Sequence, residues 1–142
     1  MKALKFITHP YTLIVSFCLI LISGEHLGGF YALYLLLALY YAGIHALLGL
    51  GGIIVLIATR KTRNKIKEPS WPNILNIVGA ALLILSLIWF FYWDKDGYNY
   101  GTFYQIVPRL SLILFGVIAL LFIGRNLIQA FSGKKINTKV SF

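Results

Sequence analysis

Four long apolar stretches separated by short polar gaps occupy most of the chain. The first runs from about residue 4 to 23, densest from Leu13 to Ile22, and the second from Leu27 to Thr59. The third covers Ile74 to Trp93 and the fourth runs from about Ile106 to Phe131. A helix rises about 1.5 Å per residue, so roughly 20 apolar residues cross the ~30 Å hydrocarbon core of a bilayer. The third stretch has that length. Trp71 at one end, and Trp89, Tyr92 and Trp93 at the other, fit interfacial anchors. Pro10 and Pro108 fall in first helical turns, where a missing amide donor costs little. The second stretch would reach about 50 Å as a straight helix. It is therefore expected to tilt, protrude or bend, with Gly49, Gly51 and Gly52 as the expected bend.

A basic start and a short apolar run also describe a secretory signal peptide. Cleavage after Ser23 or Gly24 would place Leu21 or Ile22 where a small residue is required, so a retained helix is expected. The gaps between stretches are too short for a folded domain. They imply sequential antiparallel helices in an up-down bundle.

Charge sets the direction. Lys2 and Lys5, then Arg60, Lys61, Arg63, Lys65 and Lys67, then Arg125, Lys134, Lys135 and Lys139 fall on one side, against Lys95 and Arg109 on the other. The positive-inside rule then places both termini in the cytoplasm. The expected fold is an all-α integral membrane protein: a four-transmembrane-helix up-down bundle with N- and C-termini cytoplasmic.

Composition agrees with lipid as the solvent, since 59% of the 142 residues are hydrophobic and 12% charged. A soluble domain of this size cannot bury that much apolar surface. The net charge of +9 sits between apolar runs, where it suits anionic headgroups rather than nucleic acid. Frequent Lys, Asn, Ile and Tyr fit an AT-rich bacterial genome, hence an inner membrane. Cys18 alone makes no intrachain disulfide and no cysteine metal site, and reads as small apolar filler.

Ionisable groups inside a bilayer are costly and define the candidate chemistry. His45 falls near the middle of the second stretch. Tyr34, Ala38, Tyr41, Ala42, His45, Gly49 and Gly52 recur there at helical spacings as one stripe of small and polar residues. His45 could line a pathway, or be a neutral imidazole bonded to Tyr41, Ser16 or Ser86, and the stripe reads first as a packing face. A bis-histidine haem fails. His26 and His45 are about 28 Å apart along nearly one helix, and His9 lies near the cytoplasmic end. No cofactor and no metal site are expected.

On the outer side gather Glu25, His26, Asp94, Asp96 and Arg109: Arg109 could pair with Glu25 or one of the aspartates, or Glu25, His26 and Arg109 could form an acid/base and anion-binding set. Residues 94–99 lack the spacing and closing glutamate of a calcium loop and read as a turn. On the inner side Arg60, Lys61, Arg63, Lys65 and Lys67 are expected to touch anionic lipid headgroups. The chain carries no glycine-rich phosphate loop, HExxH, CxxC or nucleophile elbow. The leading expectation is therefore a non-catalytic accessory or assembly subunit of a larger membrane complex, with small sites for helix contacts at Gly116, Ala119 and Gly124. The alternatives are a homo-oligomeric transporter or channel using the His45 stripe, and a membrane-surface enzyme acting on a lipid-linked substrate.

Overall fold

The computed structural model describes residues 6–24, 28–41, 43–62, 70–93 and 97–137, with side chains through Ser132. Helix α1 (Pro10–Cys18) leads into an antiparallel hairpin of β1 (Leu21–Ser23) and β2 (Gly28–Phe30). Then follow α2 (Tyr31–Tyr40), α3 (Ile44–Thr62), α4 (Trp71–Trp93), the single turn α5 (Gly101–Tyr104) and α6 (Ile106–Asn137).

Three of these helices, α3, α4 and α6, are long and apolar enough to cross a membrane. No more than 39% of the apolar window is buried in any of them. Ile54, Ile88, Leu120 and Ile128 are each more than half exposed. A soluble monomer does not offer water such continuous apolar surface. In hydrocarbon it carries no penalty, and close packing and polar ties hold the helices together.

The packing of α3 on α4 depends on missing side chains. A Cβ on Gly52 would stand 2.8 Å from the Gly79 carbonyl oxygen, and one on Gly79 would stand 2.7 Å from Leu56 Cγ. At Gly49 a Cβ would meet the Ser86 hydroxyl at 2.9 Å and Leu35 at 3.0 Å. These glycines are where the helices touch, and α3 continues through them as unbroken helix. The long second apolar stretch is two helices instead, α2 ending at Tyr40 and α3 beginning at Ile44. The Tyr41 and Gly43 amides both turn back to the Ala38 carbonyl, at 3.2 and 2.9 Å. Helix α2 then folds back along α3, which puts Leu35 beside Gly49.

The first apolar stretch is not one helix either. It leaves α-helical geometry after Cys18 and enters the hairpin, with the β-branched Ile20 and Ile22 buried. Non-helical backbone at membrane depth persists only where protein groups satisfy it. Here the Leu21 amide donates to Ser111 Oγ and the Ser23 amide to Thr102 Oγ1, both at 2.9 Å. The Tyr31 amide reaches the Ile20 carbonyl at 2.7 Å. Gly101 lets the hairpin seat on α5, since a Cβ there would stand 2.9 Å from the Ser23 carbonyl oxygen.

A run of aromatic rings joins the elements through the core. Phe17 of α1 meets Tyr31 edge-on at 5.2 Å and Phe115 of α6 at 5.5 Å. Tyr31 meets Phe90 of α4 edge-on at 5.2 Å. Edge-to-face geometry sets positive ring edges on negative faces and adds about 0.5–1.5 kcal/mol per pair beyond burial.

Candidate functional site

Two polar clusters draw elements together inside the bundle. The first centres on Ser86. Its hydroxyl donates to the His45 carbonyl at 2.6 Å and accepts from the Tyr31 hydroxyl at 2.9 Å. It thus ties α4 to α3 and α2. The His45 ring itself lies edge-on against Phe90 at 5.3 Å, so it is the backbone of His45, not its imidazole, that engages Ser86. Tyr41 is 81% exposed and packs on Tyr40. The Ser16 hydroxyl turns back to the Leu13 carbonyl. Tyr34 lies against Phe90. The stripe expected from the sequence is therefore divided between two helices, and its glycines are spent on packing.

The second cluster lies where α3 ends in Arg60 and Lys61. A cavity of about 210 Å³ opens there between the start of α1, the last turns of α3, the first turns of α4 and the later turns of α6. Arg60 lines it from α3 and Arg125 from α6; Asn76 and Asn126 face it from α4 and α6. Thr8, His9, Thr59 and Gln129 complete its polar wall.

Hydrogen bonding fixes the orientation of the two amides. Asn126 Nδ2 donates to the Phe122 carbonyl at 2.8 Å, so Asn126 Oδ1 is the atom turned to Asn76. It accepts from Asn76 Nδ2 at 2.9 Å. That leaves Asn76 Oδ1, a buried acceptor with no partner among the described residues. Arg125 Nη1 donates to Thr8 Oγ1, anchoring one guanidinium edge. Thr59 Oγ1 is turned back to the Val55 carbonyl.

His9 caps α1, its Nδ1 accepting from the Tyr11 amide at 3.4 Å ahead of Pro10. Partial burial first, then the charges of Arg60 and Arg125, hold this imidazole below its ordinary pKa. A neutral ring is what a capping Nδ1 requires. The four acidic residues of the chain, Glu25, Glu68, Asp94 and Asp96, lie outside the described residues. The charged residues described at the cavity are Arg60 and Arg125.

Of the other expected residues, Lys61 is exposed beside Arg60, whereas Arg63, Lys65 and Lys67 fall outside the described residues. Arg109 is exposed on the first turns of α6, its amide bonded to the Gln105 carbonyl. Its expected partners Glu25, His26, Asp94 and Asp96 again fall outside. Sequence reasoning missed Asn76 and Asn126 and used Arg125 only as a topological charge. The signal was present, because Arg125-Asn126 interrupts an otherwise apolar run, and an ionisable residue within such a run is a functional candidate by default.

A mostly helical chain with three membrane-length apolar helices and a polar, doubly cationic cavity at one end defines a multi-pass membrane protein. Comparison with protein-family models, curated proteins and solved structures finds no match.

Proposed function

We propose that this chain is a small inner-membrane protein that acts by binding rather than catalysis, an accessory subunit whose cytoplasmic end holds an oxyanion between Arg60 and Arg125. The observation that carries it is the cavity lined by Arg60 and Arg125 together with Asn76 and Asn126. Guanidinium groups suit phosphate and carboxylate through paired, charge-assisted hydrogen bonds. Two arginines line one cavity here, and one edge of the Arg125 guanidinium is already held by Thr8.

The chain crosses four times in this reading. The first crossing is composite, α1 followed by β1, because Thr8 bonds Arg125 at one end and Ser23 bonds Thr102 at the other. The eleven-to-two division of basic residues directs the cavity to the cytoplasm.

The test is thermal unfolding of the delipidated protein in neutral detergent, in phosphate against chloride at matched ionic strength. A ligand that binds only the folded state raises its stability by mass action. Phosphate is expected to raise the midpoint, and the Arg60→Gln/Arg125→Gln double variant to lose the effect. Equal midpoints in both salts, or a phosphate effect that survives the double variant, would contradict the proposal.

A further inference from the structure

We infer that the oxyanion is the phosphodiester of a glycerophospholipid whose headgroup carries hydroxyls and no amine, with an acyl chain lying along α6; this rests on the oxyanion reading above. Three observations converge on it. An apolar groove of about 380 Å³ adjoins the polar cavity and shares Thr8, Arg125 and Gln129 with it. The groove is floored by Leu120, Leu121, Gly124 and Ile128. From Ile128 to Leu120 it covers about 12 Å of helix and runs from the basic end toward the middle of α6. A polar, cationic socket continuing into an apolar channel along a membrane helix fits an amphiphile lying parallel to the bilayer lipids. A soluble phosphate would leave the channel unused.

Charge and hydrogen bonding narrow the headgroup. The guanidiniums of Arg60 and Arg125 call for anionic oxygen. A headgroup hydroxyl near the phosphate adds hydrogen-bonding groups for the polar wall of Asn76, Gln129 and Thr8 without adding charge. An ethanolamine headgroup would supply N–H donors too, but only by placing an ammonium beside two guanidiniums, and like charges at close range repel. A choline headgroup has a fixed cation and no donor. Phosphatidylglycerol, with its phosphodiester and terminal diol, meets every requirement. At Gly124 the helix surface is bare, with open space where a Cβ would stand. This gives the groove its depth.

The experiment measures lipid binding to the whole, delipidated protein in neutral detergent, by native mass spectrometry and by the shift of the unfolding midpoint. The probes are phosphatidylglycerol, phosphatidylethanolamine and phosphatidylcholine with identical acyl chains, together with soluble glycerol 3-phosphate. Phosphatidylglycerol is expected to bind at least about tenfold more tightly than either zwitterionic lipid, a preference of about 1.4 kcal/mol. Gly124→Leu fills the groove at a position with room for it. It is expected to weaken phosphatidylglycerol severalfold while leaving stabilisation by inorganic phosphate intact. Arg125→Gln should weaken both.

Equal affinity for the three lipids would overturn the inference. So would glycerol 3-phosphate binding as tightly as the lipid, or a Gly124→Leu variant that binds phosphatidylglycerol as the wild type does. In each of these cases phosphate stabilisation that still depends on Arg60 and Arg125 leaves the oxyanion reading standing. Loss of any phosphate response in the wild type removes both. Phosphatidylglycerol binding that emerges only in Glu68→Gln would identify that loop acid as the arginines' partner and overturn the inference as well.

Discussion

At the residue scale the protein is held by a few polar atoms in an apolar setting, each assigned a partner by its neighbours. Ser86 shows this best, since one hydroxyl satisfies both the His45 carbonyl and the buried Tyr31 hydroxyl. Ser86→Ala leaves the Tyr31 hydroxyl with only the Ser86 carbonyl at 3.1 Å and strips the His45 carbonyl of this donor. The expected cost is about 1–3 kcal/mol, because buried polar groups lose partners they cannot replace with water. Thermal unfolding in detergent measures it. His45→Ala, by contrast, keeps the backbone carbonyl and loses the ring contact with Phe90, at about 0.5–1.5 kcal/mol. A cost for His45→Ala equal to or above that of Ser86→Ala would show that the imidazole, not the backbone, is the member that matters. The sequence made His45 visible because a histidine in an apolar run stands out. It hid Ser86's role, since a serine tie is decided by which helices cross, and hid Asn76 because its importance lies in an acceptor left over after Asn126 is satisfied.

At the scale of elements, glycine positions separate contact from exposure. Gly52 and Gly79 sit where α3 and α4 backbones meet, whereas Gly51 has open space around it. Gly52→Ala is expected to destabilise by about 1–3 kcal/mol, as overpacking forces the helices apart, and Gly51→Ala to be nearly silent. Comparing their unfolding midpoints checks the crossing, and two equal effects would contradict it. The hairpin gives a second test. Thr102→Val removes the acceptor of the Ser23 amide at nearly constant volume. Leaving that amide unmet should cost about 1–3 kcal/mol; a variant as stable as wild type would show the hairpin is not anchored there.

Element types were legible only where helical pattern and membrane length coincide. The third and fourth apolar stretches are α4 and α6, close to the expected bounds. The first two were read as continuous helices because hydropathy has no sign for an apolar chain that turns back or extends. The cues are local: β-branched Ile20 and Ile22 before Gly24, Gly28 and Gly29, and Tyr40-Tyr41 before Gly43. Glycine clusters were misjudged in the opposite direction. Gly49–Gly52 suggested a bend, yet Gly49 and Gly52 are contact points with α4 within an unbroken helix.

At the scale of the molecule, charge asymmetry and the cavity point to the same face. In a Cys18→Ala background, Lys61→Cys is expected to react with a membrane-impermeant maleimide only from the cytoplasmic side. Tyr98→Cys, in the turn before α5, should react only from outside. Labelling of both from one side would overturn the four-crossing topology. The most direct test of the central claim is the distance between lipid phosphorus and the guanidinium nitrogens of Arg60 and Arg125. It is measurable by ³¹P–¹⁵N dipolar recoupling in bilayers containing phosphatidylglycerol, with arginine ¹⁵N labels. Paired charge-assisted hydrogen bonds would place phosphorus within about 4 Å of both side chains. Strong dephasing that disappears in the Arg60→Gln/Arg125→Gln variant is the predicted result. Dephasing unchanged in that variant would assign the contacts to Arg63 and Arg109 and contradict an oxyanion held in the cavity.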